Sequence, residues 1–326
     1  MSVTLKDLAA ASGLSIRSVR RALAGETGVS QEARVKICRL AEKLGYVPNI
    51  AARDLRTGRT PFVGLLSSPQ DSDVARRRTQ DLIDRLGSVG MHTLAAIRPD
   101  TPEAMRDLIR KWAGMVNWVV FASPPGAEVE AVLPECNATF IIIGGRHAWN
   151  NVIPLKIDRA PGIGEAVRHL ICTGRKNIWR CGGLSGRKKG FEQAFRQADS
   201  GIHHGTISPQ GETFADGYNA GDEIVRNGVD AVFFDVDRTA LGFLRYAHEH
   251  KLRIPADIAV VGFDDDQAGR YSTPLLATVA QPIAEINQTI LNLISGKSAA
   301  DQPFPTHFVC RESAGELQRN NMISEK

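Results

Sequence analysis

The spacing of hydrophobic positions along the chain changes near residue 60. Before this point, apolar residues recur three and four positions apart in short segments, which is the spacing of amphipathic helices. Beyond it, short apolar runs alternate with segments of helical period. This order predicts an all-α head followed by an α/β body.

In the body, the apolar runs predict strands and the amphipathic segments predict helices. The first series has strands at 62–66, 93–96, 118–122 and 140–143, with helices at 73–86, 102–112 and 127–133. The second series has strands at 177–180, 231–234 and 259–262, with helices at 161–172, 188–197, 216–226 and 239–250. Strands that alternate with helices form parallel sheets, so we expect two parallel α/β lobes. None of the apolar runs is long enough to cross a membrane.

The head begins with two short helices around a tight turn. Thr4 and Asp7 have the spacing of a capping box, and Gly13 is a helix stop signal. Ser15 can cap the second helix. The apolar stripe of this second helix consists of Val19, Ala22 and Leu23. Two short helices joined by a glycine-containing turn are typical of a helix-turn-helix.

A third helix is predicted between a Ser30 cap and a Gly45 stop. Its predicted apolar stripe consists of Val35, Cys38, Ala41 and Leu44. This helix would complete a three-helix core for the head.

The charge of the chain is concentrated in the head. Residues 1–60 hold 11 Lys and Arg against 5 Asp and Glu, a balance of +6, whereas the whole chain carries +4 and the rest therefore −2. Arg17, Arg20 and Arg21 have the i, i+3, i+4 spacing that places three guanidinium groups on one helix face. A small basic module on a near-neutral body indicates nucleic-acid binding, although such a face can also be merely solvated.

Length and cysteine content bear on the number of domains and on whether disulfides or a metal site are expected. A chain of 326 residues predicts two or three domains. Its five cysteines are an odd number without C-x-x-C spacing, which argues against a disulfide framework and a zinc site; no metal or cofactor is predicted. Because the first residues lack a signal-peptide apolar region, a cytoplasmic protein is expected.

Several stretches resemble the LacI-type family of bacterial transcription regulators, which includes the lactose and galactose repressors. They are VTLKDLAAASGLSIRSVRRALAG, LGYVPNIAARDLRTGRT, GRKKGF, TALGFLR, RIPADIAVVGFDD, TPLLATVAQP and VCRES, in the order of the family. The resemblance implies a helix-turn-helix domain at 1–47, a hinge helix at 48–60 and a periplasmic-binding-protein-like effector and dimerisation domain at 61–326. Its first lobe would comprise about 61–157 and 282–307, and its second about 158–281 and 308–316.

The resemblance also implies how DNA is bound. Residues 15–24 would form the recognition helix, with base contacts from Ile16, Arg17 and Arg21. Contacts to the DNA backbone are expected from Thr4, Ser15, Ser18, Arg20, Ser30 and Asn49. Arg20 departs from the small hydroxyl residue that is usual in the family. Ala52 and Leu55 match the minor-groove hinge, where Leu55 would wedge between base steps.

By the same resemblance, a small-molecule effector would contact Asp158, Arg187 and Asp264 in the cleft between the lobes. Carboxylate and guanidinium groups suit a sugar or sugar derivative. The basic residues at 187–189 and 146–147 leave an anionic effector, such as a sugar acid or sugar phosphate, as an alternative. The segments at 235–237 and 67–73 depart from the family pattern, so those parts of the cleft are expected to differ.

Two other functions fit parts of the chain. The strand-end sequence D-x-D-x-T at 235–239 resembles the nucleophile motif of haloacid-dehalogenase-like phosphatases, with Asp235 as nucleophile and Asp237 as acid/base. The body alone would also fit a ligand-binding receptor without DNA function. Together, the basic head and the resemblance favour a non-enzymatic, homodimeric repressor that binds a near-palindromic operator in double-stranded DNA and responds to an effector.

Overall fold

The computed structural model describes residues 3–23, 27–46, 60–69, 71–145, 149–196, 201–297 and 302–316. It divides into two compact units at residues 60 and 61. The first unit is called the head and the second the body. The mixed α/β fold predicted from the sequence, with a helical head and mainly parallel sheets in the body, is confirmed.

The head contains α1 (Leu5–Ser12), α2 (Ile16–Leu23) and α3 (Gln31–Leu44). Thr4 and Asp7 form the predicted capping box at the start of α1, and Ser30 caps α3. Gly13 and Gly45 end α1 and α3 in the left-handed conformation, with φ of 74° and 65°, which glycine adopts without steric cost. Local capping chemistry therefore fixes the ends of these helices.

The predicted apolar stripe of α3 is wrong in its register. Val35 is 42% exposed, Leu44 is 38% exposed and Cys38 is exposed, whereas Ile37 is fully buried beside Ala41. Leu8, Val19 and Ala22 from the other two helices complete this core. Two overlapping stripes of helical period exist on α3, and the packing of α1 and α2 selects the one that contains Ile37.

The first lobe of the body is built on a five-stranded parallel sheet. Its elements are β1 (Phe62–Ser67), α4 (Asp73–Ser88), β2 (His92–Ile97), α5 (Pro102–Trp112), β3 (Val116–Phe121), α6 (Ala127–Ala131), β4 (Thr139–Ile143) and β5 (Val152–Leu155). The strand order is β2-β1-β3-β4-β5. The strands pair in parallel throughout, so their carboxyl ends lie along one edge of the sheet.

The second lobe is built on a six-stranded sheet. The chain continues through β6 (Ile157–Asp158), α7 (Ala160–Cys172), β7 (Asn177–Cys181), α8 (Ser185–Phe195), β8 (His203–Ile207), α9 (Phe214–Asn219), α10 (Gly221–Arg226), β9 (Ala231–Phe234), α11 (Asp237–Glu249), β10 (Ala259–Phe263) and β11 (Ala277–Ala280). It ends with α12 (Ile283–Ile294), β12 (Phe304–Pro305) and β13 (His307–Val309). The strand order is β13-β11-β10-β9-β7-β8, and β13 alone among these pairs antiparallel.

The single helix predicted at 216–226 is two helices, α9 and α10.

Helices α9 and α11 approach each other closely because each carries a glycine at the contact, Gly217 in α9 and Gly242 in α11. A Cβ at Gly217 would lie 1.9 Å from the carbonyl oxygen of Thr239, and one at Gly242 would lie 1.9 Å from that of Phe214. Glycine at both positions therefore lets the backbones meet.

The chain passes between the lobes three times. It leaves the first sheet after β5 and enters α7, and it leaves the second sheet after β11 so that α12 packs Ile286 and Ile290 into the core of the first lobe. Finally, β12 pairs with β6 before β13 joins the second sheet. These crossings bring the carboxyl ends of both sheets to a common cleft.

Candidate ligand cleft and nucleic-acid interface

The second helix of the head presents a basic face opposite its buried side. Val19 and Ala22 are buried in the core, while Ile16 is 45% exposed. Arg17 is exposed, and Arg20 and Arg21 are half-buried. The helix therefore combines guanidinium donors with one exposed apolar side chain, the groups that can bind guanine edges and thymine methyl groups in a major groove.

The hydroxyl residues expected to contact phosphate lie at helix starts. The Oγ1 of Thr4 donates to Asp7 Oδ2 at 2.7 Å, and the Oγ of Ser15 accepts from the backbone N of Ser18 at 3.1 Å. The Oγ of Ser30 accepts from the N of Ala33 at 3.3 Å. Backbone N–H groups at helix starts favour anions, so this placement is compatible with phosphate contacts. Asn49, Ala52 and Leu55 lie outside the described residues.

In the body, a cavity of about 410 Å³ lies between the two lobes. Ser68, Ser123 and Gly144 line it from the carboxyl ends of strands in the first sheet, and Val236 and Asp264 line it from those of the second. A second cavity of about 430 Å³ shares five of its lining residues, namely Pro124, Gly144, Arg159, Leu184 and Arg187. Together these cavities are called the cleft.

Arg187 and Asp264, two of the expected effector residues, meet in the cleft as a buried ion pair. The Nη2 of Arg187 lies 2.9 Å from Oδ1 and 3.1 Å from Oδ2 of Asp264. The amide of Gln281 donates to the same Oδ1 at 2.7 Å. Phe263 supports the arginine, since its ring centroid lies 4.2 Å from Cζ. This arrangement fixes both charged groups at the cavity surface.

Asp264 also has an unusual backbone conformation. Its φ is 107° and that of Asp265 is 53°, in the range that non-glycine residues rarely adopt. Arg77 of α4 donates from Nη2 to the carbonyl oxygens of Asp264 and Asp265 at 2.9 and 2.7 Å. The first lobe thus holds the strained turn that carries a cleft residue of the second lobe.

Asp158, the third expected effector residue, does not line the cleft. Its side chain is exposed, and Oδ1 accepts from the backbone N of Ala160 at 3.0 Å. The residues on either side, Ile157 and Arg159, do line the cavity. Ile157 and Asp158 form β6, and successive side chains of a strand point to opposite faces, which explains why Ile157 rather than Asp158 faces the cleft.

Four further cleft residues, Arg78, Arg98, Ser123 and Asp71, were not predicted from the sequence. Arg78 is 4% exposed, donating from Nη2 to Ala122 O at 2.6 Å and from Nη1 to Gln281 Oε1 at 3.2 Å. Arg98 donates to the Oγ of Ser123 at 3.1 Å, and that hydroxyl donates to Asp71 at 2.6 Å. Burial lowers the pKa of Arg78 to about 10, so its guanidinium stays charged at neutral pH.

One sequence signal points to Arg78. It follows two other arginines and so resembles part of a solvated basic run, yet it shares the i, i+4 stripe of Val74, Leu82 and Leu86, which are buried. A charged residue within an apolar stripe is expected to be paired or functional.

The motif predicted for a phosphatase has a structural role instead. Both Asp235 and Asp237 are 1% exposed. Asp235 accepts from Arg180 Nε at 2.8 Å and from Leu184 N at 2.8 Å, while Asp237 accepts from Thr278 Oγ1 at 2.7 Å. Burial raises the pKa of both carboxyl groups. A buried and fully engaged carboxylate cannot act as an external nucleophile.

The basic cluster at 187–189 is only partly in the cleft. Arg187 is buried there, whereas Lys188 is 56% exposed on its side chain and pairs with Glu192. Residues 146 and 147 lie outside the described part of the chain. Within the residues that the structure describes, no group of three His, Cys, Asp or Glu side chains could hold a metal ion. Each of the five cysteines is free.

Both the head and the body match known protein families. Residues 4–49 match the family described as bacterial regulatory proteins, lacI family, and residues 167–313 match the periplasmic binding protein-like domain. The chain is 24% identical to catabolite control protein A of Priestia megaterium over 90% of this chain and 92% of that protein. It is 27% identical to the HTH-type transcriptional regulator DegA of Bacillus subtilis over 97% of this chain and 99% of that protein.

The chain combines a LacI-type DNA-binding domain with a periplasmic-binding-protein-like domain. Its fold is similar to that of the lac repressor dimer bound to operator and the anti-inducer ONPF, with a TM-score of 0.81 at 23% identity. That comparison covers 97% of this chain and all of the other.

These matches decide between the functions that the sequence left open. The head matches a family of bacterial regulatory proteins, and the relatives that match along the chain include an HTH-type transcriptional regulator, so the chain is a DNA-binding transcription regulator and not an enzyme. A receptor without DNA function is excluded by the same match to the head. No helix within the described ranges combines the length and apolar character needed to cross a membrane.

Proposed function

We propose that the chain is a homodimeric transcription repressor whose affinity for operator DNA depends on a small-molecule effector, a sugar or sugar derivative, in the cleft. The observation that carries this proposal is the pairing of Arg187 with Asp264 at the cavity surface of a chain whose head is of the LacI type. One unit supplies DNA binding and the other supplies a built polar pocket.

Base recognition is assigned to Ile16, Arg17 and Arg21. Arg17 and Ile16 are exposed on α2, as side chains that enter a groove must be. Arg21 is half-buried, and its Nη1 would lie 3.1 Å from a Cβ at Gly28, so it packs close to the segment before α3. Backbone contacts are assigned to Thr4, Ser15, Ser18, Arg20, Ser30 and Asn49, which set register without reading sequence.

The proposed dimer is supported by the structural relative, which is described as a dimer bound to operator. Two heads would read the half-sites of a near-palindromic sequence in the cytoplasm, where the chromosome is accessible. Residues 1–47 would act as the DNA-binding domain and 48–60 as the hinge. Ala52 and Leu55 of that hinge would enter the minor groove and kink the DNA.

The effector is assigned to the residues that line the cleft. Asp264 can accept from paired hydroxyl groups, and Arg187 can donate to ring or acidic oxygens. Because the lobes are joined across the cleft by Arg77, a ligand that changes these contacts would favour one relation between the lobes over the other. That preference would change the affinity for DNA, either as induction or as corepression.

The experiment is selection of genomic DNA fragments by the purified chain at near-physiological salt, with and without a small-metabolite extract. The control is the double variant Arg17→Ala/Arg21→Ala. We expect wild type alone to enrich a near-palindrome. Binding of equal strength to all fragments under both conditions, lost only on raising salt, would contradict the proposal because it would show phosphate attraction without base reading.

A further inference from the structure

The cleft is lined by side chains of both charges. Among the described lining residues are four arginines, Arg78, Arg98, Arg159 and Arg187, and four acids, Asp71, Glu130, Glu212 and Asp264. Arg187 donates from one nitrogen to both oxygens of Asp264. The side-chain hydrogen bonds of Arg78 and Arg98, in contrast, go to uncharged oxygens.

Arg78 is a buried cation that is held by neutral acceptors. Its two contacts in the described chain are the carbonyl oxygen of Ala122 and the amide oxygen of Gln281. Its Nε is buried without a hydrogen-bond partner, as is that of Arg187. A buried charge is costly unless an opposite charge compensates it. The carboxylates of Asp264 and Asp71 attract Arg78, but neither forms a hydrogen bond with it in the described chain.

Arg98, which lines the same cavity, is also held by neutral acceptors. Its Nη1 contacts the carbonyl oxygens of Ser123 and Pro124 at 3.4 and 2.6 Å and the hydroxyl of Ser123. Both guanidinium groups are therefore fastened to the three residues after β3 by backbone oxygens. Such anchoring fixes their position while leaving their charge available to a ligand.

Helix starts add positive potential to the same cavity. Ser72 precedes α4 and Leu184 precedes α8, both residues line the cavity, and neither makes a side-chain cap. The free N–H groups of an uncapped first turn favour a negative charge nearby. Four guanidinium groups and two helix starts thus converge on one polar pocket.

We propose that the effector is an anion, a sugar acid or a phosphorylated sugar, whose carboxylate or phosphate binds between Arg78 and Arg98 while its hydroxyl groups face the Arg187–Asp264 pair. This inference rests on the proposed function and specifies the ligand class of the same cleft. A neutral sugar would bring no opposite charge to these two guanidinium groups.

The test is titration of the full-length chain with matched compounds at constant ionic strength. Each set contains a neutral hexose, its uronic acid and its 6-phosphate, for glucose and for galactose, with acetate and inorganic phosphate as bare anions. Calorimetry gives Kd and thermal unfolding gives the shift in Tm. Comparison within a set separates a carboxylate ligand from a phosphate ligand.

The informative variant is Arg98→Gln, because Arg98 is only half-buried and its loss leaves carbonyl oxygens that water can reach. Arg245→Gln is the matched control, since Arg245 is 67% exposed and pairs with Glu249 on α11. We expect an acidic member to bind at least about tenfold more tightly than its neutral partner, as charge-assisted hydrogen bonds imply. Arg98→Gln should remove that preference and Arg245→Gln should keep it.

Three results would overturn the inference. The first is that a neutral hexose binds as tightly as its acidic partners or more tightly. The second is that Arg98→Gln binds the anion as tightly as wild type does. The third is that no anion in the panel shows saturable binding that is lost in Arg98→Gln. A neutral sugar that binds the cleft and changes operator affinity would leave the proposed function intact. Failure to enrich an operator would instead contradict the proposed function, whichever ligands bind.

Discussion

The guanidinium of Arg187 and the carboxylate of Asp264 are bonded to each other, with Nη2 2.9 Å from Oδ1 and 3.1 Å from Oδ2. Because Oδ1 also accepts from Gln281 and each carboxylate oxygen has two lone pairs, Oδ2 keeps one lone pair for a ligand. The pair therefore forms a preorganised surface on which hydroxyl groups can bind without first ordering flexible side chains.

We predict that Asp264→Asn weakens binding of the tightest member of the sugar panel by about tenfold or more. The change removes a charged acceptor and leaves Arg187 without its anionic partner. Calorimetry on the full chain measures the loss of affinity. Asp84→Asn, on an exposed part of α4, is the control and should bind as wild type does; equal affinities of all three proteins would refute the role of Asp264.

The Arg17→Ala variant should lose about 1–3 kcal/mol of binding free energy at the selected operator and relax its preference at one base pair. The reason is loss of a bidentate contact to a guanine edge. Fluorescence anisotropy on a set of single-base operator variants measures both effects. Arg39→Ala, which alters an exposed arginine on α3, is the control. A loss that is uniform over all sequences would make Arg17 a phosphate contact instead.

The Leu55→Ala variant tests the hinge, which lies outside the described residues. We predict a smaller DNA bend and a selective loss of affinity for the operator, because the apolar wedge between base steps is removed. Bending can be measured by energy transfer between dyes at the two DNA ends. Leu44→Ala, at a position that is 38% exposed on α3, should bend DNA as wild type does. An unchanged bend in Leu55→Ala would exclude the wedge.

Buried ion pairing at Arg180 and Asp235 should matter for stability rather than for chemistry. Asp235→Asn is predicted to lower the free energy of unfolding by about 3–5 kcal/mol, since it leaves a fully buried guanidinium unpaired. Urea denaturation measures the loss, and Asp107→Asn in an exposed pair with Arg110 serves as control. Recovery of stability in the double variant Arg180→Met/Asp235→Leu would support the mechanism. Wild-type stability in Asp235→Asn would contradict it.

The stability of the body should fall as pH rises toward 7 because of Asp266. Burial and the nearby charge of Asp264 raise the pKa of Asp266 from 3.8 to about 7. The folded chain thus retains a proton that the unfolded chain has released, so stability is lost between about pH 4 and 7. Asp266→Asn should therefore stabilise the protein more at pH 8 than at pH 5, as measured by thermal unfolding.

The control for this pH dependence is Asp257, which has the opposite shift. Hydrogen bonds from Arg253 lower the pKa of Asp257 to about 2, so its contribution to stability is present at neutral pH and is lost only in acid. Asp257→Asn should destabilise the protein at both pH 5 and pH 8. An Asp266→Asn effect of equal size at the two pH values would refute the proposed titration.

Local chemistry explains what could be predicted from the sequence. The caps at Thr4 and Ser30 depend on residues three positions apart, and both are present in the structure. The alternation of strands and helices was sufficient for the two lobes because each parallel unit is formed by a continuous stretch of chain.

Features that depend on long-range contacts could not be predicted from the sequence. The stripe of α3 that includes Ile37 was missed because its selection depends on α1 and α2. The position of Arg78 in the cleft depends on Ala122 and Gln281, which are 44 and 203 positions away. Asp158 has the residue type expected for a sugar contact, but the direction of its side chain depends on the pairing of β6 with β12.

The central claim is that one chain couples a ligand in the cleft to the affinity of the head for DNA. The most direct test is titration of the selected operator with the full-length chain, with and without saturating amounts of the tightest panel compound. We predict at least about a tenfold change in Kd for wild type, in the range of allosteric coupling, and little change for Asp264→Asn. The same operator affinity with and without a ligand that saturates the cleft would contradict the account.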